Sequence, residues 1–105
     1  MYIIGVTSCS TGIAHTYMAA EAIKKAAKRH GYKAKIETQG SIGIENKLNT
    51  KDIESADLIL ICADVSLREP ERFDGRKVYE SKTELFIKDA EKALKAAMDY
   101  MGVKE

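Results

Sequence analysis

An α/β domain built on a parallel sheet is what this sequence predicts, and two observations lead there. Short apolar runs rich in β-branched residues alternate with longer stretches of helical periodicity, the pattern of strand–helix–strand units joined by right-handed crossovers. The two most apolar runs, Tyr2-Ile3-Ile4-Gly5-Val6 and Asp57-Leu58-Ile59-Leu60-Ile61-Cys62-Ala63, are too short for helices. They read as central strands buried on both faces. At 105 residues the chain makes one domain, 1–105, around a single core. Four strands and three or four helices fit that length.

The first strand is expected from about Tyr2 to Thr7. A helix from about Ala14 to His30 follows, turning Ala19, Ile23, Ala26 and Ala27 inward with Met18 and Ala22 at their flanks. Gly31 stops it. The basic run from Lys24 to Arg29 lies at that helix's C-terminal end, where cations are favoured, and reads as a solvated helix end rather than a nucleic-acid patch. From Lys33 to Gln39 polar and less polar residues alternate, which suits an edge strand with one face covered and charges that discourage edge pairing. Gly40-Ser41-Ile42-Gly43 reads as a turn.

Thr50 is expected to cap a short helix ending near Ser55. Cys62 belongs to the second central strand and reads as a buried structural thiol, and Asp64 falls at that strand's carboxyl end, with no catalytic role expected. An irregular charged segment from Val65 to Arg76 contains the only proline, and Lys77-Val78-Tyr79 is the expected last strand. One final helix opens on a capping box, Ser81-x-x-Glu84. Its stripe of Phe86, Ala90, Ala93, Leu94, Ala97 and Met101 is core.

Composition excludes several functions. With 17 basic against 16 acidic residues the net charge is +1, so there is no basic field to recruit nucleic acid. No basic segment leads into a long apolar stretch, and no run is long enough to cross a bilayer, which places the chain in the cytoplasm. Two cysteines far apart make no disulfide framework. Cys9, His15, His30 and Cys62 lack metal-ligand spacing, so no metal is expected. Neither Gly-Lys-Ser/Thr nor Gly-x-Ser-x-Gly occurs, which removes the mononucleotide P-loop and the hydrolase elbow.

The stretch that carries chemistry is Cys9-Ser10-Thr11-Gly12-Ile13-Ala14-His15-Thr16, between the first strand and the first helix. In open α/β sheets ligands bind at the carboxyl ends of strands. A helix start offers free N–H groups and the positive end of the helix dipole, which together favour phosphate. The same position favours thiolate: a cysteine pKa of about 8.5 can fall to roughly 3.5–7.5 there. A buried small hydrophobe is the plainer reading of a lone cysteine. The polar or small neighbours Ser10, Thr11, Gly12, His15 and Thr16 favour a nucleophile in a phosphate-binding loop instead.

From Cys9 to Ala22 the segment closely resembles the phosphorylation site of the fructose-type enzyme IIB component of the bacterial phosphoenolpyruvate-dependent sugar phosphotransferase system. The likeness continues through Glu37-Thr38-Gln39-Gly40-Ser41-Ile42-Gly43-Ile44-Glu45-Asn46 and Arg72-Phe73-x-Gly75. The family usually has proline after the cysteine; Ser10 stands here. The resemblance implies a flavodoxin-like, Rossmann-like three-layer sandwich with helices on both faces of a four-stranded parallel sheet in the order 2-1-3-4. It implies that Cys9 accepts a phosphoryl group from a phosphohistidine on a IIA partner and passes it to a sugar held by the membrane IIC component. Ser10, Thr11, Gly12, Ile13, Ala14, His15 and Thr16 would hold the phosphate, and Gln39 and Gly40 would support that loop. No nucleotide or organic cofactor takes part, and the chain meets the inner face of the membrane only through IIC.

A hydrolase is the rival reading. Cys9, five residues, then His15-Thr16 parallels the Cys-x5-Arg-Ser/Thr loop of low-molecular-weight tyrosine phosphatases. His15 cannot supply the planar fork with which arginine clamps two phosphate oxygens. The Asp-Pro general acid of those enzymes is missing as well, since the proline here follows Glu69. A non-enzymatic binding module has no motif in its favour.

Overall fold

The computed structural model describes residues 1–8, 13–40 and 43–102, with Ile13 and Ala14 described by backbone alone. β1 (Tyr2–Ser8) is the centre of a five-stranded sheet ordered β3-β2-β1-β4-β5. Its neighbours β2 (Lys33–Gly40) and β4 (Leu58–Ala63) are both parallel to it, and β5 (Tyr79–Ser81) is parallel to β4. These four strands stand in the expected order. The fifth, β3 (Gly43–Glu45), is an added antiparallel edge strand, so the sheet is mixed. The sequence pattern points to a turn at its first residue, Gly43. In fact Gly40 pairs with Gly43, whose φ of 110° lies where side chains are strongly disfavoured.

The faces divide cleanly. Ile3, Ile36, Leu58, Leu60 and Cys62 pack with α1 (Ile13–Arg29), α3 (Thr83–Lys88) and α4 (Ala90–Met101). Ile4, Val6, Ile59 and Ile61 pack with Leu48, with Ile53 of α2 (Thr50–Ser55) and with Phe73 of a short 3-10 helix, Pro70–Phe73. Consecutive residues of a strand point to opposite faces. Apolar runs without alternation are therefore what two covered faces require, and β1 and β4 are the expected buried strands. Gly5 lets the strands and their side chains close up: a Cβ there would lie 3.2 Å from Ile36 Cδ1 and 3.3 Å from the Leu60 carbonyl oxygen.

In α1 the expected inner residues Ala19, Ile23, Ala26 and Ala27 are all fully buried, whereas Met18 is half exposed. The helix ends in a Schellman motif. Tyr32 N–H donates to the Ala27 carbonyl and Gly31 N–H to that of Lys28, with Gly31 at φ 75°.

Four features differ from expectation, each for a physical reason. The cap of α2 is Asn49 rather than Thr50: its side chain accepts from Asp52 N–H while the Asp52 carboxylate accepts from Asn49 N–H. β5 begins at Tyr79 rather than Lys77 and takes Ser81 into the ladder opposite Cys62, so the Ser81–Glu84 capping box does not form. The last helical stretch breaks in two at Asp89, which leaves helical geometry (φ −155°, ψ 86°) and caps α4 by accepting from Lys92 N–H. β2 is no edge strand, because β3 covers its carboxyl half; Glu37, Thr38 and Gln39 are all buried. The expected stripe holds across the break, with Phe86, Leu94 and Ala97 buried and Ala90, Ala93 and Met101 packed against them.

Candidate functional site

β1 delivers the chain to the carboxyl edge of the sheet at Ser8, where it lies between two neighbours. Ser8 pairs with Gln39 on one side and Ala63 on the other, and its carbonyl accepts from Asp64 N–H at 2.9 Å. Cys9, Ser10, Thr11 and Gly12 come next and lie outside the described residues. The chain is described again at Ile13 and Ala14, in the first turn of α1. That turn is tied back to the strand by Thr7, whose hydroxyl donates to the Thr16 carbonyl at 3.0 Å. A parallel strand and the start of a helix therefore meet across the four-residue stretch that contains Cys9.

His15 and Thr16 stand in this turn in different settings. His15 is exposed and lines a cavity of about 440 Å3 with Asp64, Lys82, Thr83, Glu84 and Ile87. Thr16 is fully buried, and its hydroxyl has no hydrogen-bond partner among the described residues. An orphaned buried hydroxyl at the base of the loop costs free energy unless a ligand or a loop group engages it. Beside it, Tyr17 donates a hydrogen bond to Glu45, which pushes the phenol's pKa up and latches β3 to the start of α1.

Asp64 holds the far wall of the cavity. Its carboxylate accepts from Thr83 N–H at 3.2 Å and from the buried Thr83 hydroxyl at 2.7 Å, fixing the entry to α3. The sequence assigns Asp64 no catalytic role, and its partner Thr83, 19 positions away, gives no local signal of this clasp.

A larger network at the end of β2 also went unread. Glu37 is fully buried, and its carboxylate meets Arg72 in a two-point pair, Nη1 to Oε1 at 2.7 Å and Nη2 to Oε2 at 2.8 Å. Leu48 N–H and Gln39 Nε2 donate to the same carboxylate at 2.9 and 2.7 Å. Arg72 in turn donates to the carbonyls of Leu48 and Glu69, both at 3.0 Å. Burial works to raise the Glu37 pKa, but the bonds from Arg72, Gln39 and Leu48 outweigh it and hold the carboxyl below the usual carboxylate range. The segments Glu37–Asn46 and Arg72–Gly75, joined in sequence only by resemblance, are thus two halves of one ion pair. Gln39 grips the backbone of Arg68: Oε1 accepts from its N–H at 2.8 Å and Nε2 donates to its carbonyl at 3.0 Å; the phosphate loop it is expected to support lies outside the described residues.

Cys62 is the buried thiol the sequence predicted. Burial pushes its pKa up to about 12; the Ser81 hydroxyl opposes that shift and nearby Asp64 adds to it. Since the thiolate is the reactive form, Cys62 is expected to resist iodoacetamide at pH 8 in the native state and to react fully in denaturant. Mass spectrometry of labelled peptides reads the difference, and rapid native labelling of Cys62 would contradict its burial.

The strand order and the loop edge define a class: small flavodoxin-like α/β domains whose ligands meet the sheet at the carboxyl end of β1. Residues 4–96 match the family model described as the PTS system, lactose/cellobiose specific IIB subunit. Over 96 residues, 91% of the chain and 87% of the relative, it is 47% identical to the PTS system fructose-like EIIB component 2 of Escherichia coli K12. It is 46% identical to a segment of the PTS system fructose-specific EIIB'BC component of Rhodobacter capsulatus, covering 91% of this chain but 16% of that protein. The solution structure of an enzyme IIB subunit of the PTS system from Escherichia coli K12 superposes with a TM-score of 0.88 at 40% identity, over 96% of this chain and 94% of that one. The chain belongs to the enzyme IIB family of the phosphotransferase system, and within it to the fructose type, which its high-identity relatives share.

Proposed function

We propose that this chain is a phosphoryl carrier that uses Cys9. The thiolate attacks the phosphorus of a IIA phosphohistidine; the S–P bond forms as the N–P bond breaks, and the electron pair returns to the imidazole. In the second step a hydroxyl of a fructose-type sugar, bound by a IIC membrane component, attacks the same phosphorus. The O–P bond forms, the hydroxyl loses its proton and the Cys9 thiolate leaves. Backbone N–H groups from Ser10 to His15 and the hydroxyls of Thr11 and Thr16 would hold the phosphoryl oxygens. Catalysis is then mainly positioning and electrostatics, as is usual for phosphoryl transfer.

The observation that carries this reading is the junction itself. In a fructose-type IIB domain, a central parallel strand ends at Ser8 and a 17-residue helix begins at Ile13, with a thiol in the four residues between. The buried, unpartnered hydroxyl of Thr16 at the base of that junction supports it. The EIIB'BC organisation of relatives supports IIC as the acceptor's carrier. No described helix is long and apolar enough to cross a membrane, so the domain would work at the inner face of the membrane by way of IIC.

Incubation with a phosphorylated IIA partner and mass spectrometry of the intact chain is the direct test, the expected result being one phosphoryl adduct on Cys9. Hydrolysis is a different outcome that the same site could give. With His15 where a phosphatase has arginine, and no Asp-Pro acid, turnover of p-nitrophenyl phosphate is expected to stay at background. Steady phosphate release that disappears in the Cys9→Ser variant would replace the carrier with a phosphatase.

A further inference from the structure

We propose that the open edge of β5, together with the groove beside it, takes up an acidic, extended segment of a partner polypeptide. Its occupation does not depend on phosphoryl transfer. β5 is the last strand of the sheet and pairs on one side only, with β4. A cavity of about 530 Å3 lies along it, a volume in the range of ligand sites. Tyr79 and Ser81 of β5 form one wall, with Leu85 and Phe86 of α3 and Ala93 and Ala96 of α4 opposite. Tyr79 and Ser81 are two residues apart and share the strand face that α3 and α4 cover. The break at Asp89 parts the two helices at the level of the cavity, which both line. Leu85, half exposed, gives it an apolar lip.

The polar groups at the cavity set the sign of what it takes. Lys88 and Lys92 both line it, both are exposed, and neither has a carboxylate partner among the described residues. The one carboxylate in the lining, Asp89, is occupied in capping α4, where it accepts from Lys92 N–H at 3.2 Å. The Ser81 hydroxyl makes only long contacts, 3.8 Å to the Cys62 sulfur and 3.5 Å to the Lys82 carbonyl, and is open to a better acceptor. An apolar floor with two unpaired ammonium groups and a hydroxyl donor is complementary to an apolar side chain flanked by carboxylates.

Strand addition delivers these groups in the right order. A segment paired with β5 offers its main-chain N–H and C=O groups to the open edge, and every second side chain turns toward the cavity. One apolar residue with an acidic residue two positions away on either side therefore fits. A second copy of this chain fits less well. Two β5 strands joined about a two-fold axis through the middle of this three-residue strand would set Glu80 opposite Glu80. Like charges directly opposite are destabilising.

The test titrates the whole chain with the peptide acetyl-Thr-Glu-Thr-Leu-Thr-Glu-Thr-amide, whose leucine and glutamates fall on one face of a strand, and follows the backbone amides by NMR. Saturable shifts are expected at residues 79–81 and 85–96, with a Kd of about 1 mM or tighter. Amides of β5 should gain protection from hydrogen exchange. The same peptide with lysine in place of glutamate should not bind, and the double variant Lys88→Glu, Lys92→Glu should weaken binding about tenfold or more. Both lysines are exposed, so that variant should keep the wild-type unfolding midpoint. The absence of saturable shifts, shifts centred elsewhere, equal binding of the lysine peptide, or unchanged binding by the variant would each overturn the proposal. Shifts at the cavity without added protection of β5 would mean a side-chain pocket and no strand addition, which overturns it equally. Self-association through the same residues in the absence of peptide would make the occupant a second copy and exclude the acidic segment.

Discussion

Replacement of Cys9 by serine is expected to abolish phosphoryl acceptance, a loss of the whole signal in the mass-spectrometric assay, while circular dichroism and the unfolding midpoint stay at wild-type values. A serine hydroxyl does not ionise near neutral pH, so the helix start has no thiolate to stabilise and the attack loses its nucleophile. Cys62→Ser makes the informative pair. Cys62 belongs to the same core cluster as Phe86 and Leu60 and is fully buried. That variant should accept phosphate as wild type does while losing some stability, because a hydroxyl replaces an apolar sulfur in a fully buried site. Full transfer by Cys9→Ser would move the chemistry elsewhere on the chain.

The second large effect is expected at Arg72. Removal of its side chain strands the Glu37 carboxylate in the interior, and breaking a buried pair in this way costs about 3–5 kcal/mol. That is a large part of the 5–15 kcal/mol that holds a typical domain together. Urea denaturation of Arg72→Ala should show it as a lowered midpoint, and a loss under about 1 kcal/mol would mean that the pair behaves as a surface bridge. The network also sets an acid limit. Since the Glu37 pKa is lowered in the folded state from an ordinary 4.5, its contribution is complete above about that pH and is lost as the pH falls through the folded-state value. Arg72→Ala should lose that protection, and its stability should fall less steeply with acid than that of wild type.

The sequence disclosed what depends on neighbours along the chain and concealed what depends on neighbours across it. Unbroken apolar runs revealed β1 and β4, because two covered faces leave no room for alternation. Periodicity revealed the inner face of α1 and the stripe from Phe86 to Met101. The errors gather where a distant group decided the outcome. Glu37 read as an edge charge because its arginine is 35 residues away. Ser81 read as a helix cap because β4, which draws it into the sheet, is not adjacent in sequence. Asp89, with its carboxylate just ahead of a new helical turn, offered a local signal for the break that the continuous apolar stripe outweighed. For the site, the thiol and the small polar residues around it marked the loop. The Asp64–Thr83 clasp and the grip of Gln39 on Arg68 had no such mark, since each joins one short polar residue to a backbone far along the chain.

Both described termini leave the domain from the edge of the sheet opposite Ser8, where β1 ends. Met1 precedes β1, and its carbonyl accepts from Lys33 N–H at the start of β2. The far end of α4 returns to the same region, where Tyr100 meets the ring of Tyr79, the first residue of β5, and Met101 joins Met1 around one cluster. A neighbouring module joined at either terminus would hang from the rear of the sheet, leaving the front clear. One tethered unit could then swing between a donor and a recipient without its own attachment standing in the way. The arrangement suits an architecture in which such a part is joined to others in larger polypeptides, as the related segment within the EIIB'BC component of Rhodobacter capsulatus illustrates.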